Sequence, residues 1–471
     1  MSATTLPVNA RPALTRHRPG IVLATLLTCQ LMIVLDATVM NVALPRIRAD
    51  LQFSATALSW VMNGYTLVFG GLLLLGGRAG DFFGRRRMFI AGVALFTLAS
   101  LAGGLAESST WLLVTRVAQG IGAAAAGPST LALLTTTFTE PRARVRALAL
   151  FSGMSSAGFA VGLILGGLLT QWLSWRSVMF INVPFGAAAT VFAIRHLREP
   201  ERHPARLDLL GAVTATGGVA AVVYGFIHAA SAGWGDAPTL IWLVVGLVLL
   251  AVFVIIQIRS AHPMMPLRLF ADRNRASAYL NFFLGPMAGM SMFFFLSQYL
   301  QEVRGLNALG TGFAFLPMAL LIFTISRFIP RLLPRFGPKP VALVGTVLMT
   351  AGLVLLTRLE VTSGYFPALF LPMVLMGLGM GLAFSPLNVV IMATVRPEDT
   401  GAAGGVLQTM QQIGSTLGLA ILVTVFGTVT RQAGGSGAQV LVTGMTAAFV
   451  ASAIIAGITC LVAFNFRKVA D

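Results

Sequence analysis

Residues 57–106 read ALSWVMNGYTLVFGGLLLLGGRAGDFFGRRRMFIAGVALFTLASLAGGLA. Two apolar runs, roughly 57–76 and 88–106, each reach the ~20 residues an α-helix needs to cross a bilayer core. Between them lies GRAGDFFGRRR, with three glycines and four arginines. Two apolar runs joined by a short basic connection read as a pair of membrane-crossing helices. The arginines hold that connection on the cytoplasmic side.

The pattern repeats along the whole chain. Apolar stretches of crossing length run at about 21–43, 57–76, 88–106, 111–134, 148–170, 177–195, 209–228, 239–258, 277–299, 309–329, 340–357, 367–391, 403–427 and 443–463. Fourteen spans of ~20 residues use roughly 280 positions, so the connections are short. The composition agrees, with 56% hydrophobic and only 10% charged residues among 471. Soluble domains carry about a quarter charged residues, so a chain of soluble domains is excluded, and so is a disordered one. Cys29 and Cys460 make no disulfide framework and no metal motif. The first apolar stretch is too long for a cleavable signal and contains Asp36. The expected fold is an all-α polytopic membrane protein.

Net charge is +17, yet the basic residues alternate with apolar stretches rather than forming a nucleic-acid surface. With the N-terminus inside, 25 of the 32 basic residues fall on inner segments. Six fall outside, namely Arg46, Arg48, Arg176, Arg304, Arg358 and Arg431, and Arg116 lies within a span. This asymmetry places both termini in the cytoplasm. The abundance of Ala, Gly and Arg points to a bacterium with a GC-rich genome.

Two ionisable residues break the apolar pattern. Asp36 sits in LMIVLDATVMNVALP and Arg116 in LLVTRVAQGIG. Counting along each helix puts Asp36 ~10 Å and Arg116 ~8 Å below the same outer side. At matching depth they can pair, either as an ion pair that locks two helices or as a proton-sensitive pair. Burial raises a carboxylate's proton affinity and a nearby cation lowers it, so a site alternating between these states takes up and releases protons. Pro45 is expected to end the first span. Asn41 and Gln119 are candidates for a polar track or for bonds between helices. Gln408, Gln411 and Gln412 share one helical face, as a cavity-lining stripe or an interhelical ladder. The aromatic and methionine-rich FFLGPMAGMSMFFFLSQYL, 282–300, lines an apolar cavity or faces lipid.

Span 5 contains SSAGFAVGLILGGLLTQW, where Gly158, Gly162 and Gly166 recur every four residues beside Gly167. Such a face lets two helices approach closely. Gly120, Gly122, Gly127 and Pro128 give span 4 a similar surface. In the connection first quoted, Gly77, Gly80 and Gly84 allow a compact turn, while Asp81 faces Arg85 and Arg86 as a charge relay or dock.

These motifs resemble the major facilitator superfamily, and within it the fourteen-span drug:proton antiporters of bacterial antibiotic and multidrug resistance. The resemblance covers about 20–465. It rests on LDATVMNVALP with Asp36, GGRAGDFFGRRR with Asp81, RVAQGIGAA with Arg116, Gln119 and Gly120, and GFAVGLILGG with its four glycines. The run WLSWRSVMFINVPFG, 172–186, is similar to the fourteen-span branch. The resemblance implies two six-helix halves around a central cavity, with an inserted helix pair. The corresponding divisions are a tail at 1–20, one half at 21–195, the inserted pair at 196–260, the second half at 261–466 and a tail at 467–471. It also implies proton coupling through Asp36 and Arg116, and gating through Gly77, Gly80, Asp81, Gly84, Arg85 and Arg86. Export is tied to Gly158, Gly162, Gly166 and Gly167. A monomer in the cell membrane, driven by the proton gradient without cofactor or metal, follows from the same resemblance.

Leu163 replaces the proline of the fifth-helix motif, and Pro334 in RFIPRLLPRFGPKP replaces the aspartate of the second-half loop. With Asp36 as the one deep acid, a neutral, zwitterionic or monovalent amphipathic substrate is expected. A sugar or organic-acid carrier is the alternative, but it wants denser polar groups. No G-x-x-x-x-G-K-[ST] sequence occurs, and no catalytic clustering of the five scattered histidines suggests an enzyme.

Overall fold

The computed structural model describes residues 19–200, 207–260, 263–393, 395, 400–434 and 437–464. Most of the expected N-terminal tail, 1–20, and all of the C-terminal tail, 467–471, lie outside them. Helices follow one another as α1 Pro19–Asp50, α2 Ser59–Phe83, α3 Arg85–Gly104, α4 Ser109–Thr137, α5 Pro141–Trp172 and α6 Arg176–His196. Then come α7 Leu209–Ala232, α8 Ala237–Arg259, α9 Arg273–Val303, α10 Ala308–Phe336 and α11 Pro338–Leu356. The chain closes with α12 Phe370–Ala393, α13 Thr400–Ala433 and α14 Ala438–Phe464. Among the described residues, 13 helices are long and apolar enough to cross a membrane, and α5 contributes the shorter apolar stretch Ala157–Trp172.

Each expected stretch contains a helix, but several helices run further. Hydropathy marks only the lipid-facing middle, whereas backbone hydrogen bonding continues into the polar ends. Pro45 does not end α1, which continues to Asp50 with Pro45 inside. A proline removes its own N–H and not its neighbours', so a packed helix can continue past it. The sixth span is broken: Arg176–Phe180 and Asn182–His196 flank Ile181. Pro184 lacks the N–H that would bond the carbonyl four residues back, at Phe180.

The two sets of six helices pack in the same order. α1 packs on α4, α5 and α6, α2 on α4, and α3 on α4 and α6. Correspondingly, α9 packs on α12, α13 and α14, α10 on α12, and α11 on α12 and α14. This is a two-bundle architecture. The bundles meet along α5–α10, α2–α13 and α1–α9, and α7 bridges α2 and α13 with α8 packed behind it.

The polar and apolar contacts that join the bundles are most extensive at one face. The tail face is where α1 begins and α14 ends, and the far face is opposite. Toward the far face a single apolar core runs through both bundles, from Val39 and Leu163 to Phe295, Phe315, Met376 and Phe449. Toward the tail face the N-terminal bundle has its own core around Phe89, Phe96 and Leu133. Another core around Tyr279, Phe282 and Ile391 holds the C-terminal bundle there, joined by Leu74 of α2, Ala212 of α7 and Phe253 of α8. At the far face Arg48 of α1 grips both carboxylate oxygens of Glu302 of α9 at 2.9 and 2.8 Å. Nearby, Gln301 donates to the Val42 carbonyl at 2.9 Å and Ser297 to that of Asn41 at 3.3 Å. The far face is therefore closed by a core and polar bonds that both bundles share, whereas toward the tail face their cores are distinct and touch where Leu74 of α2 meets Gly405 of α13.

Candidate functional site

Within the N-terminal bundle, Arg116 Nη1 of α4 donates to Asp36 Oδ2 of α1 at 2.5 Å. Both side chains are 0% exposed. Arg116 also donates from Nε to the Val61 carbonyl at 2.9 Å and from Nη1 to Gln119 Oε1 at 2.8 Å. Its guanidinium carbon lies 4.5 Å from the centre of the Tyr65 ring. The other carboxylate oxygen, Asp36 Oδ1, accepts from Gln119 Nε2 at 3.0 Å and Asn182 Nδ2 at 3.1 Å. Gln119 Nε2 also donates to Ser100 Oγ at 2.8 Å. Five helices, α1, α2, α3, α4 and α6, thus join one network around a buried carboxylate, which α4 and α6 contact directly.

The helices explain the convergence. Gly120 of α4 lies against the Tyr65 carbonyl and Val68, and Gly122 lies against α3 at Gly92 and Phe96. These contacts draw α2, α3 and α4 together around Arg116. The break at Ile181 starts a new helical segment at Asn182, whose side chain reaches Asp36. A buried ion pair is stable only when its remaining hydrogen-bonding positions are filled. Here both carboxylate oxygens are engaged, while Arg116 Nη2 and the Tyr65 hydroxyl have no hydrogen-bond partner among the described residues. Asn182, Ser100 and the Val61 carbonyl were not legible as site groups, because Asn182 depends on the break and the other two look like ordinary helix residues.

The loop residues form a second, separate cluster at the tail face. Asp81 pairs with Arg85, four residues on. Gly84 has φ +109°, a conformation suited to glycine, and links α2 to α3. Gly80 packs against Arg85, and Gly77 against Pro128. Arg86 donates to the Ile194 carbonyl at 2.7 Å. Glu199, just beyond α6, accepts from the backbone N–H of Arg86 at 3.1 Å and of Arg87 at 3.3 Å. Its carboxylate lies at the positive end of the α3 dipole. Sequence reasoning missed Glu199, which sits in a charged connection with no motif of its own.

The α5 glycines bring three helices together. A side chain at Gly158 would meet Leu31 and Val34 of α1, at Gly162 Thr38, and at Gly166 the Val39 backbone. Gly167 instead meets Ala308 and Leu309 of α10. Gly312 of α10 lies against the carbonyl of Leu163, the residue at the motif's proline position. Asn41 is buried, and among the described residues neither of its side-chain polar atoms has a hydrogen-bond partner. Gln411 is exposed and Gln408 half-buried. Gln412 is half-buried, with its Cβ against Gly70 of α2 across the bundle boundary.

Two alike bundles of membrane-crossing helices, one with a buried ion pair, define a multi-pass α-helical membrane transport protein. Residues 26–419 match the family described as the Major Facilitator Superfamily, and the chain belongs to that family. It is 42% identical to the puromycin resistance protein pur8 of Streptomyces alboniger, over 86% of this chain and 81% of that one. It is 39% identical to the cephamycin export protein CmcT of Amycolatopsis lactamdurans, over 86% and 84%. Among solved structures it resembles the POT family transporter PepTSo, with TM-score 0.69, 14% identity and coverage of 94% and 97%. At that identity the likeness is one of fold.

Proposed function

We propose that this protein exports an antibiotic or other amphipathic, neutral or monovalent compound across the cytoplasmic membrane in exchange for protons, by alternating access. The observation that carries this reading is the buried Asp36–Arg116 pair, at 2.5 Å, in a chain akin to resistance and export proteins. The arginine distribution supports cytoplasmic termini, so the tail face is cytoplasmic and the described state faces inward. The divisions at 21–195, 196–260 and 261–466 serve as first half, inserted pair and second half. The protein works as a monomer, and its composition suits a GC-rich bacterial host.

The geometry suggests how a proton is sensed. Three donors face the Asp36 carboxylate: Arg116 Nη1, Gln119 Nε2 and Asn182 Nδ2. A proton on either oxygen turns an acceptor into a donor, and the arrangement must then change. Asp36 belongs to α1, which also packs on α5 and holds the far-face bridge from Arg48 to Glu302. Proton binding therefore acts on the helix that closes the far face. The two bundles rock about the α5–α10 and α2–α13 contacts. Inward movement of one charge supplies ~2.3 kcal/mol per 100 mV. On the tail face, Asp81 and Arg85 latch the gate in the opposite state.

The test is transport in proteoliposomes under an imposed pH gradient, using a panel of antibiotics and lipophilic dyes. Export that disappears when the gradient is collapsed supports the reading. Gradient-independent movement of every panel member contradicts it.

A further inference from the structure

The middle of the interface between the halves holds an aromatic cluster drawn from both. Phe159 of α5 meets Phe293 of α9 edge-on, with ring centres 5.2 Å apart. Phe293 in turn stacks on Phe315 of α10 at 5.6 Å, with the planes 30° apart. One helical turn from Phe293 lies Gly289, which is buried. Among the described residues, a side-chain carbon placed there meets no atom within 4 Å. A buried glycine with open space at that position marks room inside the protein, because interiors otherwise pack without gaps. The neighbouring Gly285, by contrast, is closed off by Phe384, and Met287 of the same helix packs on Gly418.

The surroundings define what fits. Segments 147–172, 276–301 and 305–326, which contribute these faces of α5, α9 and α10, contain no charged residue. Phe293 is 7% exposed and Phe315 0%. On α1 the unpartnered Asn41 amide lies near the same junction, its own carbonyl bonded to Ser297 two turns along α9 from Gly289. Aromatic rings prefer edge-on or offset stacked partners, and a third ring can replace one contact of the set.

We propose that the space beside Gly289, walled by Phe159, Phe293 and Phe315, receives a flat, uncharged aromatic ring of the exported compound. This assignment rests on the export reading and deepens it by naming a substrate class. It also links binding to movement. Phe159 belongs to one half, and Phe293 and Phe315 to the other. On α5 and α10, close to Phe159 and Phe315, the Leu163 carbonyl packs against Gly312. A ring seated beside Gly289 adds its own contact to Phe293, the side chain through which the two halves touch at Phe159.

The test compares 2-naphthol with its saturated analogue decahydro-2-naphthol, by calorimetric titration of the purified full chain in detergent. These probes share a hydroxyl and a two-ring skeleton and differ in aromaticity. The wild type is expected to bind the aromatic probe about two- to tenfold more tightly. Phe293→Leu keeps the apolar bulk, and the ratio should fall to about one. Gly289→Leu fills the space and should weaken both probes by about tenfold. Gly289→Ala adds one carbon to open space, folds, and should fall between. Equal binding of the two probes by the wild type overturns the proposal, as does a ratio unchanged in Phe293→Leu or affinities unchanged in both Gly289 variants. Proton-driven transport measured on the same preparation separates the two readings. A wild type that transports but shows no ring preference sinks this site alone. A ring preference without gradient-driven transport sinks export and leaves the site.

Discussion

Removing either member of the Asp36–Arg116 pair should destabilise the protein far more than removing both. Asp36 Oδ2 accepts from Arg116, and Oδ1 accepts from Gln119 and Asn182. Asp36→Asn has only one acceptor oxygen, so in either orientation its NH2 group opposes a donor. The Arg116 guanidinium then stays buried with no counter-charge. Breaking a buried pair in this way costs about 3–5 kcal/mol. Arg116→Met strands the carboxylate instead, at a similar cost of about 3–5 kcal/mol. In the double variant neither charge remains. The oxygen of the substituted amide can face Gln119 and Asn182 while its NH2 group turns toward the methionine. Replacing a buried pair by uncharged groups of similar bulk is often neutral, so the double variant should lie within about 1–2 kcal/mol of the wild type. Denaturant unfolding of the three variants in mixed micelles reads this directly. Single-variant losses that simply add in the double variant would refute the reasoning, as would singles indistinguishable from wild type.

Other consequences follow from individual contacts. Gly162→Val should lower stability and transport, because its side chain meets Thr38 where α5 crosses α1. Gly153→Ala is the control and should be neutral, since no atom of the described residues lies within 4 Å of its new carbon. Arg431→Ala removes donors to the Ser231 and Ala229 carbonyls at 2.7 and 3.1 Å, and faster amide exchange confined to α7 is the expected result. Glu199→Gln keeps its shape but loses the charge at the start of α3. It should loosen the 194–199 segment from the loop by about 0.3–1 kcal/mol, seen as increased cleavage there by a soluble protease. Arg48→Ala breaks the bridge to Glu302 and should raise labelling of a cysteine introduced at Ser297.

Much of this was legible in the sequence, for physical reasons that also set its limits. A membrane forces ~20-residue apolar spans, so the helices show in composition. Asp36 and Arg116 stood out because charge is costly at depth, and their matching depth suggested a partner. Asn182 did not stand out. An asparagine is tolerated in many helices, and its reach to Asp36 depends on the break before Pro184. The helix beyond Pro45 was also hidden, because proline's local preference is overridden by packing along α1. Gln412 looks like its neighbours Gln408 and Gln411 on a helical projection. Only the position of α2 puts it against Gly70. Closure at the far face lay beyond sequence reasoning, because one sequence must serve both the open and the closed arrangements.

The central claim is that proton movement through Asp36 drives export. Its most direct measurement is substrate transport in proteoliposomes under a pH gradient, with wild type and Asp36→Asn/Arg116→Met side by side. The double variant is chosen because it should remain folded. The account predicts gradient-driven transport by the wild type, abolished by collapsing the gradient, and none by the variant although it binds the compound. Undiminished gradient-driven transport by the variant would contradict it.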